Sequence, residues 1–189
     1  EKVEQKASLV KKRLYEKRFC GLLSPHDLLP ILYTHRMFDE QKLRQLSEIF
    51  LAENTKLNLS ALRDPEHCWI GNILDSAAFL DSLPSFFIGS AADKPLRIGD
   101  IGTGGGFPLL VIASLLPKSQ CIGLDSTKKK VDAVERIVKS CELKNVSLVC
   151  GRTEELGHQK DLRESFDIVT ARAVAPIATL LEYAAPLLK

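Results

Sequence analysis

Between residues 100 and 108 the chain reads Asp-Ile-Gly-Thr-Gly-Gly-Gly-Phe-Pro, four glycines within five positions. Main chain of that kind lets a ligand reach backbone N–H groups with no Cβ atoms in the way, as a nucleotide- or nucleoside-binding loop requires. A plain tight turn needs only one or two glycines. A dinucleotide fingerprint G-x-G-x-x-G started at Gly102 or Gly104 would put its third glycine at 107 or 109, where the chain has Phe107 and Leu109. That register argues against an NAD-type oxidoreductase, and no G-x-x-x-x-G-K-[ST] phosphate loop is present. The register that fits is G-x-G-x-G, with Gly102, Gly104 and Gly106 preceded by the acid Asp100. A second carboxylate, Asp125, closes the next apolar run and suits the two hydroxyls of a ribose. Further on, Gly151-Arg152-Thr153-Glu154-Glu155 is spaced to meet the base edge of a nucleoside, although acids there equally suit the start of a helix.

These residues need a scaffold that ends several strands side by side. From residue 96 short apolar runs alternate with longer amphipathic segments, the βαβ rhythm of a parallel sheet covered by helices. Strands are expected at Leu96–Ile101, Gln120–Leu124, Val146–Cys150 and Phe166–Ala171. A short helix is expected over Pro108–Leu116, and a longer one carries Val131, Val134, Val138 and Cys141 on one side. The first half reads as helical. Val3, Ala7, Val10 and Leu14 make one face, a break follows over Gly21–Pro30, and Leu43, Leu46, Ile49 and Phe50 make a second face. Asn54–Leu62 reads as a connector, and Asp64-Pro65 as the start of a helix reaching about Leu83. Gly89–Pro95 has the composition of a linker. The expected division is therefore a helical region, 1–92, followed by an α/β domain, 93–189.

Composition bounds the rest. With 189 residues, 45% hydrophobic and 26% charged, the chain suits one principal core with a helical appendage. No run approaches the roughly 18 apolar residues of a membrane helix, and the start is charged, unlike a secretory signal. The five cysteines are odd in number and scattered, which predicts a reducing compartment. No Cys/His spacing suits a metal, so none is expected. A net charge of +2 is small, yet residues 1–18 gather seven Lys/Arg, and Lys128-Lys129-Lys130 forms a second knot. Such knots can seek phosphates or simply face solvent.

The acid followed by G-x-G-x-G resembles the first motif of class I methyltransferases. Taken in order, NLSALRDPEHCWIGNILDS (58–76), DIGTGGGFP (100–108), LDSTKKK (124–130), GRTEEL (151–156) and FDIVTARAVAP (166–176) resemble the signature blocks of the RsmG (GidB) family of ribosomal RNA methyltransferases. Leu-Asp-Ser at 74–76 and Ala-Arg-Ala at 171–173 make the resemblance specific. It implies a class I S-adenosylmethionine-dependent fold, Rossmann-like, in three αβα layers with a helical N-terminal extension. The implied activity is methyl transfer from S-adenosylmethionine to a guanine N7 in the 530 loop of small-subunit ribosomal RNA, with naked RNA or the assembled subunit as partner.

The same resemblance implies cofactor contacts at Asp100, Gly102, Gly104, Phe107, Asp125, Ser126, Thr127, Thr153, Glu154 and Arg172. Arg172, Asp75 and Ser76 would be the candidate catalytic residues, with Asp75 and Ser76 near the pocket entrance. Lys128, Lys129, Lys130 and Arg63 would address RNA phosphates. The expected protein is a monomer in a bacterial-type cytoplasm. A plastid or mitochondrion stays open, because the chain does not begin with Met and a targeting segment could have been removed.

Three positions depart from the pattern. Leu109 stands where the family often has Gly, Asn72 stands where it often has His, and the chain stops at Pro186-Leu187-Leu188-Lys189. Roughly three strands of a complete sheet would then lie beyond it, leaving an edge that is costly to expose. The competing readings are a non-catalytic RNA-binding or assembly factor that kept the fold and, behind it, the oxidoreductase.

Overall fold

The four apolar runs expected from the sequence form four parallel strands, each kept extended by residues that suit a buried pleat. They are β1 (Arg97–Ile101), β2 (Gln120–Asp125), β3 (Val146–Cys150) and β4 (Ile168–Ala171). The computed structural model describes residues 39–81 and 95–189. The basic helix expected over 1–18, the break at 21–30, the end of the helix near 83 and nearly all of the 89–95 linker lie outside the described residues. So does the expected domain boundary at 92.

The strand order is β3-β2-β1-β4. The chain lays β2 and β3 on one side of β1 and then returns to put β4 on the other, so the order reverses between β1 and β4. Such a switch point opens a crevice beyond the carboxyl ends of the strands. Alternating residues of β1 and β2 point to opposite faces. Ile98 and Cys121 join Leu109, Ile112 and Leu80 in one core, whereas Ile101, Ile122 and Leu124 join Leu156, Phe166 and Leu187 in the other.

Helices occupy both faces. In chain order they are α1 (Glu40–Leu57), α2 (Pro65–Cys68), a π-helical segment (Trp69–Leu74) and α3 (Asp75–Asp81) before the sheet. Within it come α4 (Leu109–Leu115), α5 (Lys128–Ser140), α6 (Thr153–Leu156) and α7 (Ile177–Ala184). In α5 Val131, Val134 and Ile137 recur at helical spacing and are all buried. Among the described residues no helix is long and apolar enough to cross a membrane.

Several boundaries differ from the sequence reading: β1 begins at Arg97 rather than Leu96, and β2 runs on to Asp125. β4 begins at Ile168, because Phe166 pairs instead with Leu188 in an isolated parallel bridge. α4 begins one residue after Pro108 and ends before Leu116. α1 runs on through Asn54 to Leu57, into the expected connector. Asn54 stays helical because its amide reaches forward, donating to the Ser60 and Leu62 carbonyls at 3.0 and 3.3 Å and accepting from the Ser60 N–H at 2.9 Å. The helix from Asp64 does start there, with Asp64 accepting from His67 N–H at 3.0 Å. Its middle turn, however, is π-helical rather than α-helical.

Candidate active site

β1 ends at Ile101 and the chain turns through the glycine loop with Gly102, Gly104 and Gly106 at φ of 63°, 54° and 93°. Only at such positive φ does the absence of Cβ matter this much. The turn is tied down by main chain: Thr103 N–H donates to the Leu124 carbonyl at 3.0 Å, and Gly106 N–H to the Thr103 carbonyl at 2.7 Å. A Cβ on Gly106 would meet Leu110 Cδ1 at 2.5 Å, whereas one on Gly104 would meet nothing nearer than the Gly102 oxygen at 3.7 Å. Gly106 is thus glycine for packing, and Gly104 faces open space.

Asp125 closes β2 directly beside this loop. Its Oδ2 accepts from Gly104 N–H at 2.9 Å and its Oδ1 from Thr127 N–H at 2.8 Å. One carboxylate therefore fixes both the glycine loop and the start of α5. Each oxygen keeps a further lone pair for another donor.

Asp100, one residue before the end of β1, is 1% exposed. Burial pushes its carboxyl up to about 6; the hydroxyls of Thr170 and Thr103 and the charge of Arg172 offset part of that rise. Thr170 Oγ1 donates to Asp100 Oδ1 at 2.7 Å. Among the described residues Asp100 Oδ2 and Thr103 Oγ1 form no hydrogen bond of ordinary geometry, although the Thr103 hydroxyl helps to draw the Asp100 carboxyl down.

A cavity of about 200 Å³ opens at the carboxyl ends of the strands and is lined by Gly102, Asp125, Ser126, Thr153 and Glu154, with Val174 and Tyr183 opposite. Five of the residues expected to hold a cofactor thus meet in one place. The Glu154 carboxyl lies below the usual carboxylate range, drawn down first by its own backbone N–H and then by the Tyr183 hydroxyl. Gly104 and Thr127 meet the site through their bonds to Asp125, and Asp100 lies beneath it. Phe107 does not line the cavity: it is 5% exposed and its ring packs edge-on against Phe50, centroids 4.8 Å apart.

None of the three expected catalytic residues lines the cavity, Arg172 included, which was also expected to hold the cofactor. Arg172, just after β4, donates to Asp75 Oδ2 at 3.1 Å, to the Gly71 carbonyl at 3.0 Å and to Asn72 Oδ1 at 3.0 Å. Ser76 is 2% exposed, and its Oγ has no hydrogen-bond partner among the described residues. The basic residues stand apart from both groups. Lys128 pairs with Asp132 at 2.7 Å, Lys129 is exposed and Lys130 half-buried. Arg63 donates to Asn58 Oδ1 at 2.6 Å beside a separate open cleft of about 530 Å³ at the end of α1. None of the residues expected to hold a cofactor lines that cleft. Among the described residues no group of His, Cys, Asp and Glu is arranged to hold a metal.

Sequence reading missed Tyr183 and Val174, which complete the cavity, and the Gly71 carbonyl, which helps to hold Arg172. It also left Asn72 without a role. A tyrosine within the apolar run of α7 carries no signal for a ligand, and contacts across about a hundred residues leave no local pattern.

The open parallel α/β sheet, with its glycine loop after the first strand tied to an aspartate at the end of the second, has the class I S-adenosylmethionine-dependent methyltransferase fold. The profile described as rRNA small subunit methyltransferase G matches residues 39–189, and the chain belongs to that family. The ribosomal RNA small subunit methyltransferase G of Trichodesmium erythraeum is 37% identical over 150 residues, covering 79% of this chain and 58% of that protein. Its counterpart in Desulfitobacterium hafniense is 38% identical over 136 residues, covering 72% of this chain and 53% of that one. The chain thus spans little more than half the length of these relatives. Among solved structures, the YcgJ protein of Bacillus subtilis overlays 56% of this chain and 45% of its own, at 26% identity and a TM-score of 0.42.

Proposed function

We propose that the protein transfers a methyl group from S-adenosylmethionine to N7 of a guanine in the 530 loop of small-subunit ribosomal RNA. The observation that carries this reading is the left-handed glycine loop locked onto Asp125 beside the cavity that Asp125, Ser126, Thr153 and Glu154 line. The residues fit the cofactor. Gly104 leaves open space where a side chain would stand, and Asp125 retains lone pairs for two ribose hydroxyls. Thr153 and Glu154 sit at the start of α6, where backbone N–H groups and the Tyr183 hydroxyl form a polar rim suited to adenine.

Bound S-adenosylmethionine supplies an electrophilic methyl group on a sulfonium. Guanine N7 carries an in-plane lone pair, so no residue has to remove a proton before attack. The work of this chain is positional: Asp125 and the glycine loop fix the donor, and Arg172 orients donor or base, turning binding energy into alignment. The Asp100 carboxylate is placed to favour positive charge nearby as it moves from sulfur to purine. Lys128, Lys129, Lys130 and Arg63 draw in phosphates. An exposed loop nucleotide suits this geometry, since a stacked base could not present N7 to a buried methyl group. The same reading puts a monomer in a reducing, ribosome-containing compartment: a bacterial-type cytoplasm, a plastid or a mitochondrion.

Calorimetry with S-adenosylmethionine, followed by methyl incorporation into under-methylated small subunits, tests the proposal for this chain and for a longer form. Cofactor binding with labelled N7 is the expected result. RNA binding without cofactor binding would replace the enzyme with an assembly factor.

A further inference from the structure

Arg172 leaves the sheet after β4, yet its orientation is set by a helical segment about a hundred residues earlier. Nη1 donates to the Gly71 carbonyl and to Asp75 Oδ2, and Nη2 donates to Asn72 Oδ1, all within 3.0 to 3.1 Å. The three acceptors come from the π-helical segment and the first residue of α3. π-Helical turns are rare and concentrate at functional sites.

Asp75 alone would be a weak tether, because a single half-exposed ion pair leaves a long side chain free to swing. A planar guanidinium is fixed only when acceptors define its plane. Asn72 is suited to that task. It is 2% exposed, and its amide has one sensible orientation: Nδ2 faces Cys68 Sγ at 3.7 Å and Oδ1 faces Arg172. The reversed amide would set N–H against N–H, leaving the buried Asn72 donor facing another donor. As a neutral acceptor, Asn72 also holds the cation without cancelling its charge. That charge reaches Asp100, whose carboxyl faces Thr170, Thr103, Asp125 and Arg172.

We propose that Asn72 is a positioning residue, its buried amide oxygen setting the plane of the Arg172 guanidinium and holding that cation beside Asp100 at the glycine-loop end of the sheet. Its effect on catalysis rests on the methyltransferase reading above; the positioning itself does not.

Two measurements separate these levels. Without any cofactor, side-chain NMR of Arg172 reports whether its Nη groups are held, and carboxyl NMR of Asp100 reports the nearby charge. Asn72→Ala is expected to merge the distinct Arg172 Nη signals into one averaged signal and to raise the Asp100 midpoint. Asn72→Asp, which restores an acceptor of the same shape, should keep the signals distinct. Where the alanine variant does not fold, Asn72→Ser withdraws the acceptor while keeping a polar group, and the same readings apply. The second measurement is affinity for S-adenosylhomocysteine, expected to fall about tenfold in Asn72→Ala, as for a lost hydrogen bond to a charged group. No further fall is expected when Arg172→Ala is already present. Unmoved Arg172 signals in Asn72→Ala and Asn72→Ser, or additive losses of affinity in the two backgrounds, would overturn the proposal. Signals that merge in a protein whose wild type ignores S-adenosylhomocysteine would instead uphold the positioning and reject the cofactor reading.

Discussion

The two walls of the crevice at the carboxyl end of the sheet are held by different means. On the β1–β2 side, main chain does the holding: the glycine loop is tied to the Leu124 carbonyl, to itself and to one aspartate, and the strands behind it are almost wholly buried. On the β4 side, Arg172 depends on acceptors from the π-helical segment, and α7 has no buried residue. Ile177 and Leu181 there are 72% and 63% exposed. A wall fixed by backbone is insensitive to most side-chain changes but intolerant at its glycines. A wall fixed by side chains is tunable and can be retuned from a distance. The first suits an unvarying cofactor, and the second suits the part of the reaction that differs between substrates.

The sharpest break would come at Gly104. Gly104→Val is expected to reduce S-adenosylmethionine affinity by more than about a hundredfold, read by calorimetry. The left-handed φ itself costs a branched residue on the order of 1–2 kcal/mol, and the side chain would fill the open space toward the ligand. RNA affinity should survive. An unchanged cofactor affinity would mean that the main-chain wall is not where the cofactor lies.

Next in size is the buried acid beneath that wall. In the native protein Asp100 holds its proton up to about pH 6, against 3.8 for an ordinary aspartate. Between those values the native state binds more protons than the unfolded chain. Stability from this group is therefore present in acid and lost as pH rises toward 6, by about 3 kcal/mol in all. Asp100→Asn should remove that loss. Relative to wild type it should melt higher at pH 7 and equally at pH 4, while binding the cofactor less well. Equal melting at both pH values would show that the carboxyl is not held against its burial.

The two walls were also unequally legible. Gly102, Gly104, Gly106, Asp100 and Asp125 could be read directly, because positive φ, strand ends and a ribose acceptor each leave a mark on local sequence. The strands showed as apolar runs for the same reason; the limits of β1 and β2 moved by one residue, and the larger shift, at Phe166, came where pairing was decided from afar. The β4 wall left no such mark. Arg172 stood out only through the family pattern, and the acceptors that orient it lie 97 to 101 residues away. Asn72 stood out only as a departure where the family often has His, and nothing in Trp69–Leu74 announces a π turn. The extension of α1 was hidden by Asn54, a turn-former whose amide satisfies the connector without leaving the helix.

Smaller effects sharpen the contrast at the outer surface. Replacing Lys129 and Lys130 with Glu should weaken RNA binding roughly tenfold and flatten its salt dependence by about two counterions. Cofactor affinity should stay put, since neither residue lines the cavity. A parallel fall in both affinities would tie the first turn of α5 to the main-chain wall through Thr127, whose N–H already meets Asp125.

The smallest effect tests how side chains attach the preceding helices to the sheet domain. Glu53 on α1, its side chain 9% exposed, meets Arg136 on α5 at 2.9 Å and Lys56 at 2.7 Å. The Arg136 guanidinium first, then the Lys56 ammonium, holds the Glu53 carboxyl below its usual range. An acid lowered in this way contributes stability above its ordinary titration range and loses it as pH falls through the lowered value. Glu53→Gln should therefore lower Tm by about 2 °C at pH 7, a modest change because the basic partners are solvent-screened. The difference should vanish in strong acid, where the wild-type carboxyl is also neutral. A difference that persisted there would assign the attachment of α1 to packing by Phe50 against Phe107, and so to the main-chain wall rather than to the ion pair.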